Sequence, residues 1–328
     1  MMPAQSRVPH TSPMALVGKC VLGAFLLCAR AAICQQLPDS LAEPRALIAQ
    51  GKLAAAEASL HDFVKQHPAS ADAHFLLGYV LFREQKAVDS LAEFTAGAHV
   101  RRPKADELKT VASDYVLLRD YADADKWFTE VVVETPDDAE AWYLLGRTKY
   151  NENGFSNAVS SFERALALHP KYIEAENNLG LSWKELNNPE KAKAAFQTAI
   201  DWQGDAPADA QPFLNLGTLL ADQSDFDKSI LYLTKAVSLS PENPRIHEEL
   251  GQVYEAQKNL PQAQAELEKA VALAPDSSAL HFRLGQIYRH EGLRDRAQHE
   301  FDLCEKLNST HSSASTPNPP ALGPAVPH

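Results

Sequence analysis

The sequence predicts an all-α fold, a solenoid of stacked antiparallel helix pairs, and three observations lead to this prediction. Small and large apolar residues hold fixed phases along most of the chain. Six glycines recur at separations of 68, 34, 37, 34 and 34 residues: Gly78, Gly146, Gly180, Gly217, Gly251 and Gly285. Five prolines keep the same period: Pro68, Pro136, Pro170, Pro241 and Pro275. A 34-residue period with Gly and Pro at fixed phase is typical of repeated helical hairpins.

The pattern is clearest over residues 139–172, when Gly146 is numbered position 8 of the repeat. The other phased residues of this unit are Trp142 at position 4, Leu145 at 7, Ala158 at 20, Phe162 at 24, Ala165 at 27 and Pro170 at 32. The unit resembles the tetratricopeptide repeat, except that the aromatic of position 11 is displaced to Tyr150. The resemblance implies two antiparallel helices per unit and a role in binding other proteins.

Packing and capping explain why these residue types occur at these positions. Small residues at 8, 20 and 27 let two helices approach closely, and large residues at 4, 7, 11 and 24 fill the remaining space. A proline after the second helix ends it, because proline lacks the N–H donor. Asn188-Pro189 is predicted to start a helix, as an N-cap followed by proline at the first helical position. Asp276 and Ser277 are predicted to supply capping oxygens after Pro275.

The phase predicts eight units between residues 35 and 309. Ala112 replaces the glycine in the third unit, Pro44 occupies its position in a degenerate first unit, and extra residues near Gly204 lengthen the junction after the fifth. Terminal units are often atypical, because one of their faces meets water. The predicted units cover 37–70, 71–104, 105–138, 139–172, 173–209, 210–243, 244–277 and 278–309.

Residues 1–34 stand apart from the repeat and have the pattern of a secretory signal peptide. Arg7 and Lys19 precede an apolar run from 20 to 29, and small residues follow, with cleavage expected after Cys34. An uncleaved anchor is the alternative, but ten apolar residues are too few to span a bilayer. We therefore expect an exported protein, in the periplasm or cell envelope or secreted. Residues 310–328 are rich in Ser and Pro and are expected to be disordered.

Charge and cysteine content exclude several functions. The chain carries a formal charge of −12, and residues 1–34 hold three basic residues and no acid, so the remainder carries −15. This balance argues against nucleic-acid binding and against direct insertion into a membrane after processing, and we expect a protein or peptide partner. Only Cys304 lies beyond residue 34, at a position where the repeat favours a small buried side chain.

No motif of catalysis or of cofactor binding occurs. The chain has no phosphate-binding loop, no Gly-rich dinucleotide turn and no G-x-S-x-G elbow. His74, His247 and His281 all occupy position 4, where the first helix packs, so we expect structural histidines rather than metal ligands. The prediction is a non-enzymatic protein with no cofactor.

The resemblance to tetratricopeptide repeats also implies where a partner binds, because positions 2, 5, 6, 9, 12 and 13 of the first helix line the concave face in that family. Asparagine at position 6 in two successive units (Asn178 and Asn215) is similar to the asparagine ladder in the repeat arm of O-linked N-acetylglucosamine transferases, which implies amides that hold a peptide backbone. The predicted partner-binding residues are Phe75, Tyr79, Phe82, Tyr143, Arg147, Tyr150, Asn177, Asn178, Lys184 and Asn215.

Several interpretations stay open at this point. Each aromatic residue at these positions either meets a partner or packs within its own hairpin, and each Asn or Glu is either a ligand contact or solvated helix surface. For Phe75, Tyr79 and Phe82 together we predict a binding patch. The leading hypothesis is a scaffold that binds an extended peptide or a helix. The alternatives are a substrate-recruiting regulatory subunit of an envelope enzyme or assembly complex, and self-association through the ends of the array.

Overall fold

The computed structural model describes residues 40–313, with side chains as far as residue 309. The predicted signal peptide, and the part of the predicted tail after residue 313, lie outside the described residues. By their contacts, the described residues divide into two parts, 40–42 and 43–313. In the short part, Ser40 and Leu41 form a turn and Ala42 is the first residue of a helix.

The described residues are helical and contain no strand. They form sixteen helices, in the eight pairs that the period predicts, and in the last seven pairs the two helices pack extensively against each other. The helices are α1 Ala42–Ala49, α2 Leu53–Gln66, α3 Ala71–Arg83, α4 Ala87–Ala98, α5 Ala105–Leu117, α6 Tyr121–Glu134, α7 Ala139–Asn151, α8 Phe155–Leu168, α9 Ile173–Glu185, α10 Pro189–Asp201, α11 Gln211–Asp222, α12 Phe226–Leu239, α13 Pro244–Ala256, α14 Leu260–Leu273, α15 Ser278–His290 and α16 Arg294–Ser313. The last helix continues four residues beyond the predicted end of the array.

Six of the hairpins close where glycine at position 8 meets a large side chain at position 24. A Cβ atom built on Gly180 would lie 2.5 Å from Cε1 of Phe196, and one built on Gly146 would lie 2.6 Å from Cε1 of Phe162. The same close approach occurs at Gly78, Gly217, Gly251 and Gly285. Phe162 and Phe196 are fully buried, so their rings have little room to move aside. The period of glycines therefore marks the points where the two helices of a hairpin touch.

The turn inside each hairpin has one conformation throughout the array. The residue at position 15 has a positive φ in all eight units, and only the first and last of these residues are glycine. The next amide closes the turn on the helix before it, as where Asn188 N–H donates to the Trp183 carbonyl at 2.9 Å. The eight residues are Gly51, Gln85, Arg119, Asn153, Asn187, Ser224, Lys258 and Gly292.

Of the predicted capping residues, Asn188 and Ser277 cap helices, and Ser277 rather than Asp276 is the N-cap after Pro275. The Asn188 side chain accepts from the backbone N–H of Lys191 at 3.2 Å, and Pro189 is the first residue of α10. Ser277 caps α15 by accepting from the N–H of Leu280 at 3.4 Å. Cys304 differs from the prediction, because it is half-buried. It lies on the last helix of the array, where no described repeat follows to cover it.

The histidines of position 4 are structural, as predicted, and each links three segments of the chain. In the seventh unit, His247 Nε2 donates to the Pro241 carbonyl at 2.9 Å, and Nδ1 lies 2.6 Å from the Glu266 carboxylate. The ring therefore joins α13 to the end of the preceding hairpin and to α14. The same contacts are made by His74 with Pro68 and Glu93, and by His281 with Pro275 and Glu300.

Candidate interaction surface

The first helices of units 2, 3 and 4 line an open groove of about 710 Å³. We call it the first-helix groove. Its apolar lining comes from α3, through Leu76, Tyr79 and Phe82, and from Leu144 of α7. These four residues are half-buried. Tyr79 also accepts a hydrogen bond from Arg83 Nη1 at 2.9 Å, which orients its ring. The helical spacing of α3 thus places two of the predicted aromatics side by side in one groove.

Phe75 differs from the prediction of an exposed patch, because only 3% of it is exposed. Its ring stacks on Phe94 with the centroids 5.7 Å apart, and the Arg101 guanidinium lies 4.4 Å above the ring centroid. A Cβ atom on Gly97 would lie 2.6 Å from the Phe75 ring, so the missing side chain at position 27 makes room for it. Phe75 therefore forms the wall of the groove and packs the hairpin.

Ion pairs lie along the groove and hold its charged groups in place. Arg101 Nη2 lies 2.6 Å from Asp72 Oδ1 and 2.7 Å from Glu107 Oε1. The hydrogen bond from Arg101 holds the pKa of Asp72 below its usual value. Farther along the groove, Lys109 Nζ lies 2.8 Å from Glu140 Oε2. Arg101 bridges α3 and α5, and Lys109 joins α5 to α7, so these ion pairs link the first helices of consecutive repeats.

Sequence reasoning missed the contribution of unit 3 and of the loop before it. Lys109, Thr110 and Ser113 line the groove from α5, and Arg101 and Lys104 line it from the loop. The α5 residues occupy positions 5, 6 and 9 of the third unit, which are among the positions used to select candidates in the other units. If the same positions had been used in the weaker third unit, they would have identified these three α5 residues as candidates. The two loop residues could not have been selected by repeat position, because the positions used for selection lie on the first helices.

A second group of predicted residues lies farther along, on α7 and α9. The Arg147 guanidinium carbon lies 5.7 Å from the centroid of the Tyr143 ring, and the Tyr143 hydroxyl hydrogen-bonds with Asn178. Asn178 Nδ2 donates to the Glu174 carbonyl at 2.7 Å. Burial raises the pKa of Tyr143, so its hydroxyl stays protonated at neutral pH. The structure thus brings Tyr143, Arg147 and Asn178 together.

The predicted asparagine ladder has a different arrangement. Asn177 and Asn215 are 4% and 5% exposed, and Asn215 Nδ2 donates to Asn177 Oδ1 at 2.8 Å. The amides of these two residues therefore satisfy each other between units 5 and 6. Asn178, which shares position 6 with Asn215, is half-buried and stays at the surface of α9. The ladder is replaced by one internal pair and one surface amide.

The remaining two predicted residues lie apart from both groups. The Tyr150 ring meets Phe155 edge-on, with centroids 5.3 Å apart, inside its own hairpin. Lys184 Nζ lies 2.7 Å from Asp222 Oδ2, which joins α9 to α11. In the last two units Arg283 Nε lies 2.7 Å from Glu248 Oε1. Charges on these first helices are therefore also paired between neighbouring repeats.

Residues 40–313 contain no cluster of three or more His, Cys, Asp or Glu side chains that could hold a metal ion. Within the same residues, no helix combines the length and apolar character that a bilayer crossing requires. The groove itself offers aromatic surface, hydroxyls and paired charges.

Curated proteins match over part of the chain. Protein FlbA of Caulobacter vibrioides is 28% identical over 138 residues, which are 42% of this chain and 23% of that protein. The mouse protein O-mannosyl-transferase TMTC1 is 24% identical over 164 residues, 48% of this chain and 17% of that protein. The chain spans less than a quarter of the length of these two relatives.

Solved structures share the fold. A tetratricopeptide repeat protein from Parabacteroides merdae aligns with a TM-score of 0.62 and 19% identity, over 75% of this chain and 96% of that one. PilW, a type IV pilus biogenesis factor, aligns with a TM-score of 0.52 and 20% identity, over 64% of this chain and 92% of that one. At these identities the alignments show the fold alone.

Family models of the tetratricopeptide repeat match residues 41–105, 143–210 and 220–281, which together are more than half of the chain. Proteins built from this repeat bind other proteins or peptides, and the repeat is generally non-catalytic. The repeat period, the sixteen paired helices and these matches agree with one another. The chain therefore belongs to the tetratricopeptide repeat family.

Proposed function

We propose that this protein is a non-enzymatic scaffold that binds an extended peptide in the first-helix groove. The observation that carries the proposal is the groove of about 710 Å³, in which Tyr79 and Phe82 present half-buried rings. Aromatic side chains in such partly buried positions supply much of the binding energy at protein interfaces. The groove follows three successive first helices, which suits an elongated ligand better than a compact one.

The polar lining supports a peptide rather than a strongly charged ligand. Arg101 and Lys109 are already paired with carboxylates, so a charged ligand at either of these two residues would have to displace an existing partner. Thr110 and Ser113 donate to backbone carbonyls of their own helix, at 3.2 and 2.8 Å, and their oxygens can still accept from a peptide N–H. Apolar anchors and hydroxyl acceptors together fit an uncharged stretch of peptide.

The experiment begins with the full chain immobilised and a random peptide library selected against it. Affinities of the selected peptides are then measured by fluorescence anisotropy. We expect Tyr79→Ala combined with Phe82→Ala to weaken binding by about tenfold or more, which corresponds to about 1.4 kcal/mol. Leu231→Ala is the matched control, because Leu231 is 65% exposed on the second helix α12. Equal affinities for the groove variant and the control would exclude this groove.

The second candidate function is a substrate-recruiting subunit of an enzyme or assembly complex. One observation favours it, since the TMTC1 relative is by name a transferase and matches this chain over only 17% of its own length. Purification of the chain from its native host under crosslinking tests this function. A stoichiometric catalytic partner would favour the recruiting role, and a partner with no catalytic activity would favour the simple scaffold.

We also infer that the protein is exported. The support is the sequence of residues 1–34, in which Arg7 and Lys19 precede an apolar run. Intact-mass analysis of the protein from its native host is the direct test. A mass that begins at Gln35 would agree with cleavage after Cys34, and a full-length mass from the soluble cell interior would exclude export.

A further inference from the structure

We propose that an apolar cavity between the second and third repeats is a binding site for a small, uncharged, aromatic or branched apolar molecule. The cavity has a volume of about 450 Å³ and lies between α4, α5 and α6. Its walls include the rings of Phe94, Tyr115 and Trp127. The cavity differs from the first-helix groove in its walls, because two of the three helices around it, α4 and α6, are second helices.

A smaller side chain is one cause of the cavity at this junction. Position 28 of the repeat is Ala98 in unit 2, and Ala98 lines the cavity. In the other six of the first seven units the residue at this position is larger and apolar: Val64, Val132, Leu166, Ile200, Val237 and Val271. Several of these pack into the core beside the next unit, as where Val237 contacts the cluster that holds Ile246 and Leu250. Ala98 leaves that volume empty.

The end of α4 enlarges the same space. The second helices of units 3, 4, 6 and 7 continue two residues beyond position 28, whereas α4 ends at Ala98. Gly97 precedes that end, and a Cβ there would collide with the Phe75 ring. The chain then turns through Arg102 and Pro103, which line the cavity in place of the absent helical turn. Two departures from the repeat, one of side chain and one of backbone, therefore coincide at one site.

The lining determines the chemical class of the ligand. Leu91, Leu108 and Val111 are 3–7% exposed and supply aliphatic wall. The charged residues of the lining are Arg102 and Glu130, and they pair with each other at 2.7 Å. Arg102 also pairs with Glu134. No counter-charge in the lining is left for an ionic ligand, so an uncharged one is favoured. The volume lies within the range of small-molecule sites, about 300–1,000 Å³.

The test uses two fluorescent probes that share one aromatic skeleton. N-phenyl-1-naphthylamine is uncharged, and 8-anilinonaphthalene-1-sulfonate carries an added sulfonate. We expect the full chain to bind the uncharged probe saturably at one site per chain, and about tenfold or more tighter than the sulfonate. Trp127→Phe keeps the apolar wall and is expected to reduce energy transfer from protein to probe. Equal affinity for the two probes would overturn the proposed ligand class.

Filling the cavity locates the bound probe. Ala98→Leu introduces the residue that unit 4 carries at position 28, and we expect it to lower the affinity for the uncharged probe about tenfold or more. Ala98→Val is the second variant, because valine is the commonest residue at this position and is the milder change if leucine disturbs folding. Ala92→Leu is the matched control on the exposed face of α4. Wild-type affinity in both Ala98 variants would overturn the proposal.

Discussion

At the scale of single residues, the most unusual side chain is Asp114, which is fully buried on α5. Ser90 Oγ lies 2.5 Å from Asp114 Oδ2 and 2.8 Å from the Gly78 carbonyl oxygen, yet a hydroxyl has one proton to donate. In the sixth unit the equivalent Ser229 donates to the Gly217 carbonyl at 2.8 Å. By the same geometry Ser90 can donate to the Gly78 carbonyl when the Asp114 carboxyl is protonated and donates to Ser90 Oγ.

This arrangement predicts a pH-dependent stability that Asp114→Asn removes. Burial raises the pKa of Asp114 from 3.8 to about 7. The folded chain therefore holds a proton that the unfolded chain releases, so this group lowers the unfolding free energy as pH rises from about 4 to about 7. We expect the melting temperature of the Asp114→Asn variant to rise relative to that of the wild type across that interval. Above about pH 7 the difference between the two should stay constant.

Asp106→Asn, an exposed position on the same helix, provides the control and should follow the wild type at every pH. The limiting slope from one such group is about 1.4 kcal/mol per pH unit. A difference between the asparagine variant and the wild type that stays constant from pH 4 to pH 8 would show that Asp114 is ionised throughout.

At the scale of elements, the junction between α10 and α11 departs most from the repeat. It extends from 202 to 210, and Gly204 in it has a φ of +65°. The Gln203 side chain ties the loop together. Its Oε1 accepts from the N–H of Ala208 at 3.1 Å and of Asp209 at 2.8 Å, and its Nε2 donates to the Asp209 carbonyl at 3.2 Å. The side-chain amide of Gln203 thus holds the loop by three hydrogen bonds to its backbone.

Removal of that amide in Gln203→Ala should loosen the loop and leave the helices intact. We expect cleavage by an endoproteinase specific for aspartate to accelerate by about tenfold at Asp205, because loss of three hydrogen bonds favours local opening. The far-UV circular dichroism should not change. Gln223→Ala, an exposed substitution after α11, is the matched control. Equal cleavage rates for the two variants would show that the loop is held by other contacts.

At the scale of the whole molecule, the array is stabilised by contacts between neighbours. Apart from weak contacts, helices of the described residues touch the adjacent helix or the next first helix along the chain. Stability in such arrays is approximately the sum of the units and of the interfaces between them. A defect in one unit is therefore felt by the units beside it and fades with distance along the chain.

Gly180→Ala tests this locality. The added Cβ would lie 2.5 Å from the fully buried Phe196 ring, so we expect a destabilisation of about 1–3 kcal/mol. Hydrogen exchange read by mass spectrometry should show lost protection in α8 to α11 and native protection in α3 and α15. Glu185→Ala, exposed on the same helix, should change nothing. Uniform loss of protection over all sixteen described helices would show that the array unfolds as one unit.

The sequence predicted the features that depend on contacts within one hairpin. The phase of Gly146 and Phe162 identifies the close approach of α7 and α8, and Asn188-Pro189 identifies the start of α10. These contacts join residues about sixteen positions apart or less, so a fixed period reveals them. The packing role of His247 was also predictable, because position 4 faces the preceding hairpin.

The sequence could not predict features that depend on how one unit rests on the next. Asn177 and Asn215 occupy different repeat positions, 5 and 6, so their pairing follows from the tilt between units 5 and 6. Phe75, by contrast, is buried within its own hairpin, where the missing side chain of Gly97 at position 27 makes room for its ring. Arg101 reaches the groove from a loop, whose course no period describes. The candidate site is therefore less predictable than the fold.

The asparagine pair restricts how this array could be rebuilt. Repeats of this kind are natural targets for duplication, deletion or exchange in protein engineering, because each consists of a similar pair of helices. Units 5 and 6 cannot be exchanged independently, however, because Asn177 of unit 5 and Asn215 of unit 6 are buried and hydrogen-bonded to each other. A chimera that keeps Asn215 but places another unit before it would bury an amide without its partner, at about 1–3 kcal/mol. Any redesign of this array should move the two units together.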